Sequence, residues 1–98
     1  MPDAFVSEAK LKQVRFERCQ LTNLDLSGAA IELLAMQHCD LTSLRLNGAR
    51  ITHLDLRGST IDGIALDPQF VKGIVIDPFQ SPAIAQALGI RVERISDR

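Results

Sequence analysis

Large apolar side chains recur every five residues along most of this 98-residue chain. From Val6 in steps of five the residues are Val6, Leu11, Phe16, Leu21, Leu26, Ile31, Met36, Leu41, Leu46, Ile51, Leu56, Ile61, Leu66, Val71 and Ile76, and all fifteen are apolar. Two residues ahead of each runs a second series, from Ala4 to Ile74, in which only Ser59 and Gln69 of fifteen are polar. Neither regular element explains that spacing. On a helix, five-residue steps walk round the axis and would bury every face. An uninterrupted strand needs strict alternation, whereas here two outward residues separate each apolar-x-apolar triplet. Such a triplet is a very short strand with both ends facing one way. The two residues between triplets then form a corner. Strand and corner repeated every five residues wrap the chain round a square, four pentapeptides to the coil.

The twenty-residue coil has an independent signature. Cys19-Gln20-Leu21-Thr22-Asn23-Leu24-Asp25-Leu26-Ser27-Gly28 is followed twenty residues later by Cys39-Asp40-Leu41-Thr42-Ser43-Leu44-Arg45-Leu46-Asn47-Gly48, matching at Cys, Leu, Thr, Leu, Leu and Gly. The second apolar series also sorts by size at this interval. Ala9, Ala29 and Ala49 form one small column and Cys19, Cys39 and Ser59 another, while Val14, Leu34, Leu54, Ile74 and Leu24, Leu44, Ile64 form two large ones. Like stacked on like fills a solenoid core without voids. Fifteen repeats on four sides make nearly four coils, roughly 15–18 Å tall at the spacing of paired strands. A charge placed at Leu41 would sit unpaired on the axis and collapse the column.

The stretch Val14-Arg15-Phe16-Glu17-Arg18-Cys19-Gln20-Leu21-Thr22-Asn23-Leu24-Asp25-Leu26-Ser27-Gly28-Ala29 resembles the pentapeptide-repeat family, whose consensus is Ala-(Asp/Asn)-Leu-x-x. The resemblance covers residues 4–76. It implies an all-β solenoid, a right-handed quadrilateral β-helix of nearly four coils closed by a short C-terminal capping α-helix. Leu replaces the consensus Ala in several places, and Asp directly before the central residue occurs at Asp25, Asp40 and Asp55. Gln69, in an inward position next to Asp67-Pro68, predicts a loosened or bulged last coil.

Two parts follow: a β-helix over residues 1–78 and a capping helix with a tail over 79–98. Past Asp77-Pro78, Ser81 fits the N-cap, Pro82 the first helical position and Gly89 the residue just past the end. Ile84 and Leu88 share one helix face and can cover the last coil. Residues 90–95 begin by alternating, as a short edge strand does. The N-terminus shows no such cap: the repeat already runs at Ala4 and Val6. Either the chain is a piece of a longer solenoid or another subunit covers that edge. Ile84, Leu88, Ile90 and Val92 form a candidate capping or dimer surface, so a homodimer would form through the C-terminal tail or the open N-terminal edge.

Little in the sequence suggests chemistry. Cys19 and Cys39, one coil apart in an inward column, read as reduced thiols acting as small apolar fillers, since Ser59 takes the next place. That usage fits a cytoplasmic setting. The opening Met1-Pro2-Asp3-Ala4 has no positive and apolar regions of a secretory signal, and no apolar run nears the roughly 18–20 residues that span a bilayer. His38 and His53, the only histidines, lie on different sides of the square without metal-ligand spacing. Nucleophile motifs and phosphate-binding glycine loops are missing. Gly28, Gly48 and Gly58 fall at corners, where a tight turn needs positive φ. Thr22, Thr42, Asn23 and Ser43 read as a polar ladder on one side. The expectation is a non-enzyme with no catalytic, metal or cofactor site.

Charge narrows the partners. Eleven basic and twelve acidic residues give a net charge of -1, unlike a nucleic-acid binder, so no direct nucleic-acid binding is expected. On one side, however, Lys10, Lys12, Arg50, His53 and Lys72 stand with Glu32 as the lone acid, a candidate partner-binding face for an acidic surface. Two functional readings result. The first is a structural or protein-interaction module with an unidentified protein partner. The second is implied by the resemblance: one branch of the family confers quinolone resistance as a duplex-DNA mimic that binds DNA gyrase, usually as a dimer joined through C-terminal elements. A mimic needs a long, strongly negative rod. Residues 4–76 hold eight basic and eight acidic residues, so the column is short and neutral.

Overall fold

The computed structural model describes residues 10–93 and 95. The first members of both apolar series, Ala4, Val6 and Ala9, lie outside the described residues, as does the edge expected to be open before Lys10.

Seven short strands pair in parallel. One sheet has β1 (Lys10–Leu11), β3 (Ala30–Ile31) and β5 (Arg50–Ile51) in that order. The other orders β2 (Val14–Glu17), β4 (Leu34–Gln37), β6 (Leu54–Asp55) and β7 (Ile74–Val75). Two further ladders are single-residue bridges, Gln20–Asp40–Thr60 and Asp25–Arg45–Ala65. Every one of these pairings joins residues twenty apart, as Lys10 with Ala30 or Leu54 with Ile74. The chain is therefore a parallel-strand β-solenoid of about three turns, ending in one short helix, α1 (Ser81–Ala87).

Burial follows the five-residue register. From Leu24 to Leu66 every position of the two series is buried except Ile51, which is half-buried. Leu34, Met36, Leu41, Leu44, Leu54 and Leu56 have no exposed surface. Each such Leu removed from water contributes about 1.5–3 kcal/mol, and stacking them along one axis gives a continuous core from a chain with few aromatics. Leu11, Val14, Phe16 and Leu21 of the first coil and Val71, Ile74 and Ile76 of the last pack on it half-buried.

The corners explain the outward residues. In the turn Leu26–Ala29 the Ala29 amide donates to the Leu26 carbonyl at 3.1 Å and Gly28 has φ 73°, the mark of a type II turn. Gly48 and Gly58 occupy the same place at φ 71° and 80°, as their positions predict. Arg18, Asn23, His38 and Ser43 do so as well, at φ 55–63°, although only Asn tolerates that region readily. The repeating hydrogen bonds hold them there: Arg18 donates its amide to Gln37 at 3.1 Å, and Asn23 donates to Thr42 at 2.8 Å.

Asp25, Asp40 and Asp55, each one residue before a central Leu, also serve the corner. Their Oδ1 atoms accept the amides of Ser27, Thr42 and Arg57 at 2.9–3.1 Å. These bonds hold all three carboxyls below the usual range. For Asp25 the main cause is its bond with Ser27, for Asp40 that with Thr42, and for Asp55 that with Arg57. Asp55 is buried and meets Arg57 in a two-pronged pair, Nε–Oδ1 2.9 Å and Nη2–Oδ2 2.7 Å.

The last coil bulges where Gln69 predicts. Asp67 caps a 3₁₀ turn over Pro68–Phe70, Gln69 turns outward, and β7 then rejoins the twenty-residue register.

Candidate partner-binding surfaces

The sheet β1–β3–β5 places Lys10, Ala30 and Arg50 in one outward column, because residues twenty apart stand over each other. Ala30 is the small member, and the long flanking cations leave a shallow groove of about 280 Å³ above it. Lys12, Glu32 and Thr52, two residues further along each coil, form the rest of the wall. The structure thus brings together Lys10, Lys12 and Arg50 of the expected basic face. His53 and Lys72 do not line this groove. His53 stands beyond it, between β5 and β6, and Lys72 follows the 3₁₀ turn Pro68–Phe70. Ala30 and Thr52 were not singled out from the sequence, yet the twenty-residue offset from Lys10 and Lys12 points to them.

The second expected surface divides in two. Ile84 and Leu88 turn inward, half-buried, and with Leu66, Val71, Ile74 and Ile76 enclose an apolar pocket of about 180 Å³ at the end of the core. They are used for capping. Ile90 and Val92 are instead exposed, at 55% and 56%. The edge strand expected over 90–95 is not formed by its described residues, 90–93 and 95. The helix stops at Gly89, φ 80°, where the Ile90 amide donates to Ala85 at 2.8 Å and the Gly89 amide to Gln86 at 3.0 Å, a Schellman closure. Past that closure Ile90 and Val92 lie in no strand.

The helix start also differs from expectation. Ser81 is already helical, at φ -56°, ψ -42°, and does not cap. No side chain caps α1 itself; Asp77 caps the 3₁₀ turn Pro78–Gln80 that leads into it, its Oδ1 accepting the amides of Phe79 and Gln80 while Gln80 Oε1 accepts the Asp77 amide at 2.9 Å, a capping box. The same two side chains close the solenoid. In the coils, the corner amide at Arg18 donates to the carbonyl of Gln37; at the end, the Gly58 amide donates to Asp77 Oδ2 at 2.7 Å instead. Asp40 and Thr60 donate their amides to Cys19 and Cys39, but the Ser59 carbonyl takes its bond from Gln80 Nε2 at 2.7 Å. Carboxylate and carboxamide stand in for the backbone of a coil that does not follow. Gln80 is only 5% exposed, and a second bond to the Leu56 carbonyl completes its amide group.

The Cys19–Cys39–Ser59 column holds free thiols and one working hydroxyl. Ser59 Oγ accepts the Cys39 amide at 3.1 Å and donates to the Met36 carbonyl at 2.7 Å, so it does more than match cysteine in size. Burial pushes the Cys39 thiol up. Among the described residues no three His, Cys, Asp or Glu side chains gather as metal ligands, and no helix is long and apolar enough to cross a membrane.

The family model described as pentapeptide repeats (8 copies) matches residues 6–32. No curated protein and no solved structure matches the chain. The matched segment carries the five-residue register that the parallel ladders continue in steps of twenty to Ile74, and over residues 6–32 the chain is similar to the pentapeptide-repeat family.

Proposed function

We propose that this chain is a non-enzymatic structural or protein-interaction module, a right-handed quadrilateral column of nearly four coils whose sides present side chains at fixed spacing. The observation that carries this reading is the register: four ladders hold outward residues in columns, and one of them concentrates Lys10, Lys12 and Arg50 round a small floor. A rigid side of this kind recognises a partner without first having to order itself. The free thiols of Cys19 and Cys39 support a reducing, cytoplasmic setting. In this reading residues 79–98 form the cap and tail, with Ile90 and Val92 free for self-association.

Photo-crosslinking tests the module reading side by side. A photoreactive residue replaces Arg15, Arg45, Arg50 or Thr60 in turn, one exposed position on each ladder, and the proteins captured in the source cell are compared. One partner linked reproducibly from one side supports the reading. Capture that is the same from all four sides, or from none, overturns it.

A further inference from the structure

We propose that the groove over Ala30 binds an extended acidic segment of a partner protein, with carboxylates three residues apart; this inference rests on the interaction role above and names the partner's chemistry. Lys10 and Arg50 stand two paired strands apart, about 10 Å along the column. Ala30 between them reaches neither, so the space between the two cations is open to an anion. Lys10, Lys12 and Arg50 take part in no ion pair among the described residues, whereas Arg57 is tied to Asp55.

The spacing selects the ligand's conformation. In a β-strand, residues on one face repeat every second position, about 6.7 Å, which fits neither one strand spacing nor two. A polyproline II segment repeats every third residue at about 3.1 Å per residue, or roughly 9.3 Å, close to the span from Lys10 to Arg50. Running along the column, such a segment sets one carboxylate against Lys10 and Lys12 and the next against Arg50. Glu32, in the column beside it, repels an acid laid over that register and confines the segment to the Ala30 column.

A protein segment fits better than a nucleic acid. Three cations neutralise few phosphates, the chain's net charge is -1, and no aromatic side chain lines the groove to stack on a base.

The test uses a fluorescein-labelled peptide of four Pro-Glu-Pro units, its Pro-Lys-Pro counterpart and a labelled single-stranded oligonucleotide, titrated with the whole chain by fluorescence anisotropy. Expected are saturable binding of the Glu peptide that weakens with salt and no binding of the Lys peptide. Lys10→Glu and Arg50→Glu each weaken binding at least tenfold, Glu32→Gln strengthens it severalfold, and Lys72→Glu, outside the groove, leaves it within twofold. All four positions are exposed, so the circular dichroism melt of each variant should match the parent. Absence of saturable binding at low salt overturns the proposal. So does a loss with Lys72→Glu equal to that with Arg50→Glu, which would mean diffuse attraction. Tighter oligonucleotide binding with the same sensitivity overturns the choice of partner. Should photo-crosslinking find a partner on another side while the peptide fails, the groove assignment falls and the module reading stands.

Discussion

Replacing Gly73 with alanine probes how closely the last coil is seated. Gly73 has φ 98°, and a methyl group there would lie 2.6 Å from the Thr52 carbonyl oxygen and 3.0 Å from that of Ile51. Both contacts are backbone, so no side chain can swing aside. Nor can the chain back away freely, since the Gly73 carbonyl accepts the Leu54 amide at 2.9 Å and begins the pairing of β7 with β6. Gly48 is the matched control: its φ is 71° and nothing lies within 4 Å of the added carbon. The control substitution costs the left-handed backbone alone, about 1 kcal/mol. Gly73→Ala adds an overpacking term of about 2 kcal/mol or more, giving about 3 kcal/mol in all. For a domain of this size that is a melting point lower by about 4–8 °C for Gly48→Ala and by three times as much for Gly73→Ala. Far-ultraviolet circular dichroism is the suitable assay, as the chain has no Trp or Tyr. Equal losses for the two variants would refute the close seating of Gly73 against the coil before it.

Gln80→Ala strips the bonds to the Leu56 and Ser59 carbonyls and the Asp77 amide, and should cost about 2–3 kcal/mol in urea unfolding, with Gln80→Glu no rescue because it cannot donate. Arg18→Gly relieves a left-handed residue at φ 56° whose side chain is exposed, and should stabilise by about 0.5 kcal/mol after the entropy of the new glycine, read from the same unfolding curves. Asp25, Asp40 and Asp55 have carboxyls held lower when folded than when unfolded, so the stability they contribute is present above about pH 4 and is lost as pH falls through their folded values. Melting curves from pH 6 to pH 2 should show that loss below about pH 4, and a steeper fall between pH 6 and pH 5 would implicate other groups.

The core was legible because one period governs it: each inward residue from Leu24 to Leu66 was identified by counting in fives, and even Gln69 announced the bulge by breaking the series. Gly28, Gly48, Gly58 and Gly89 were equally plain, since glycine marks positive φ. Arg18, His38 and Ser43 were not, because their conformation is imposed by neighbouring coils rather than by their own preferences. The cap eluded local reading for a similar reason. Ser81-Pro82 is a good helix start in isolation, but Asp77 and Gln80 are held by the open corner of residues 56–59, a contact twenty residues distant in the chain. The basic face was visible as a list of charges. Which of them share a groove depended on the coil offset.

The twenty-residue coil underlies both the core and the groove, and interstrand nuclear Overhauser effects measure it directly. The account predicts backbone contacts between Gln20, Asp40 and Thr60 and between Asp25, Arg45 and Ala65, together with those of Lys10 to Ala30 and Ala30 to Arg50. Contacts at any other offset, or antiparallel patterns in their place, would contradict it.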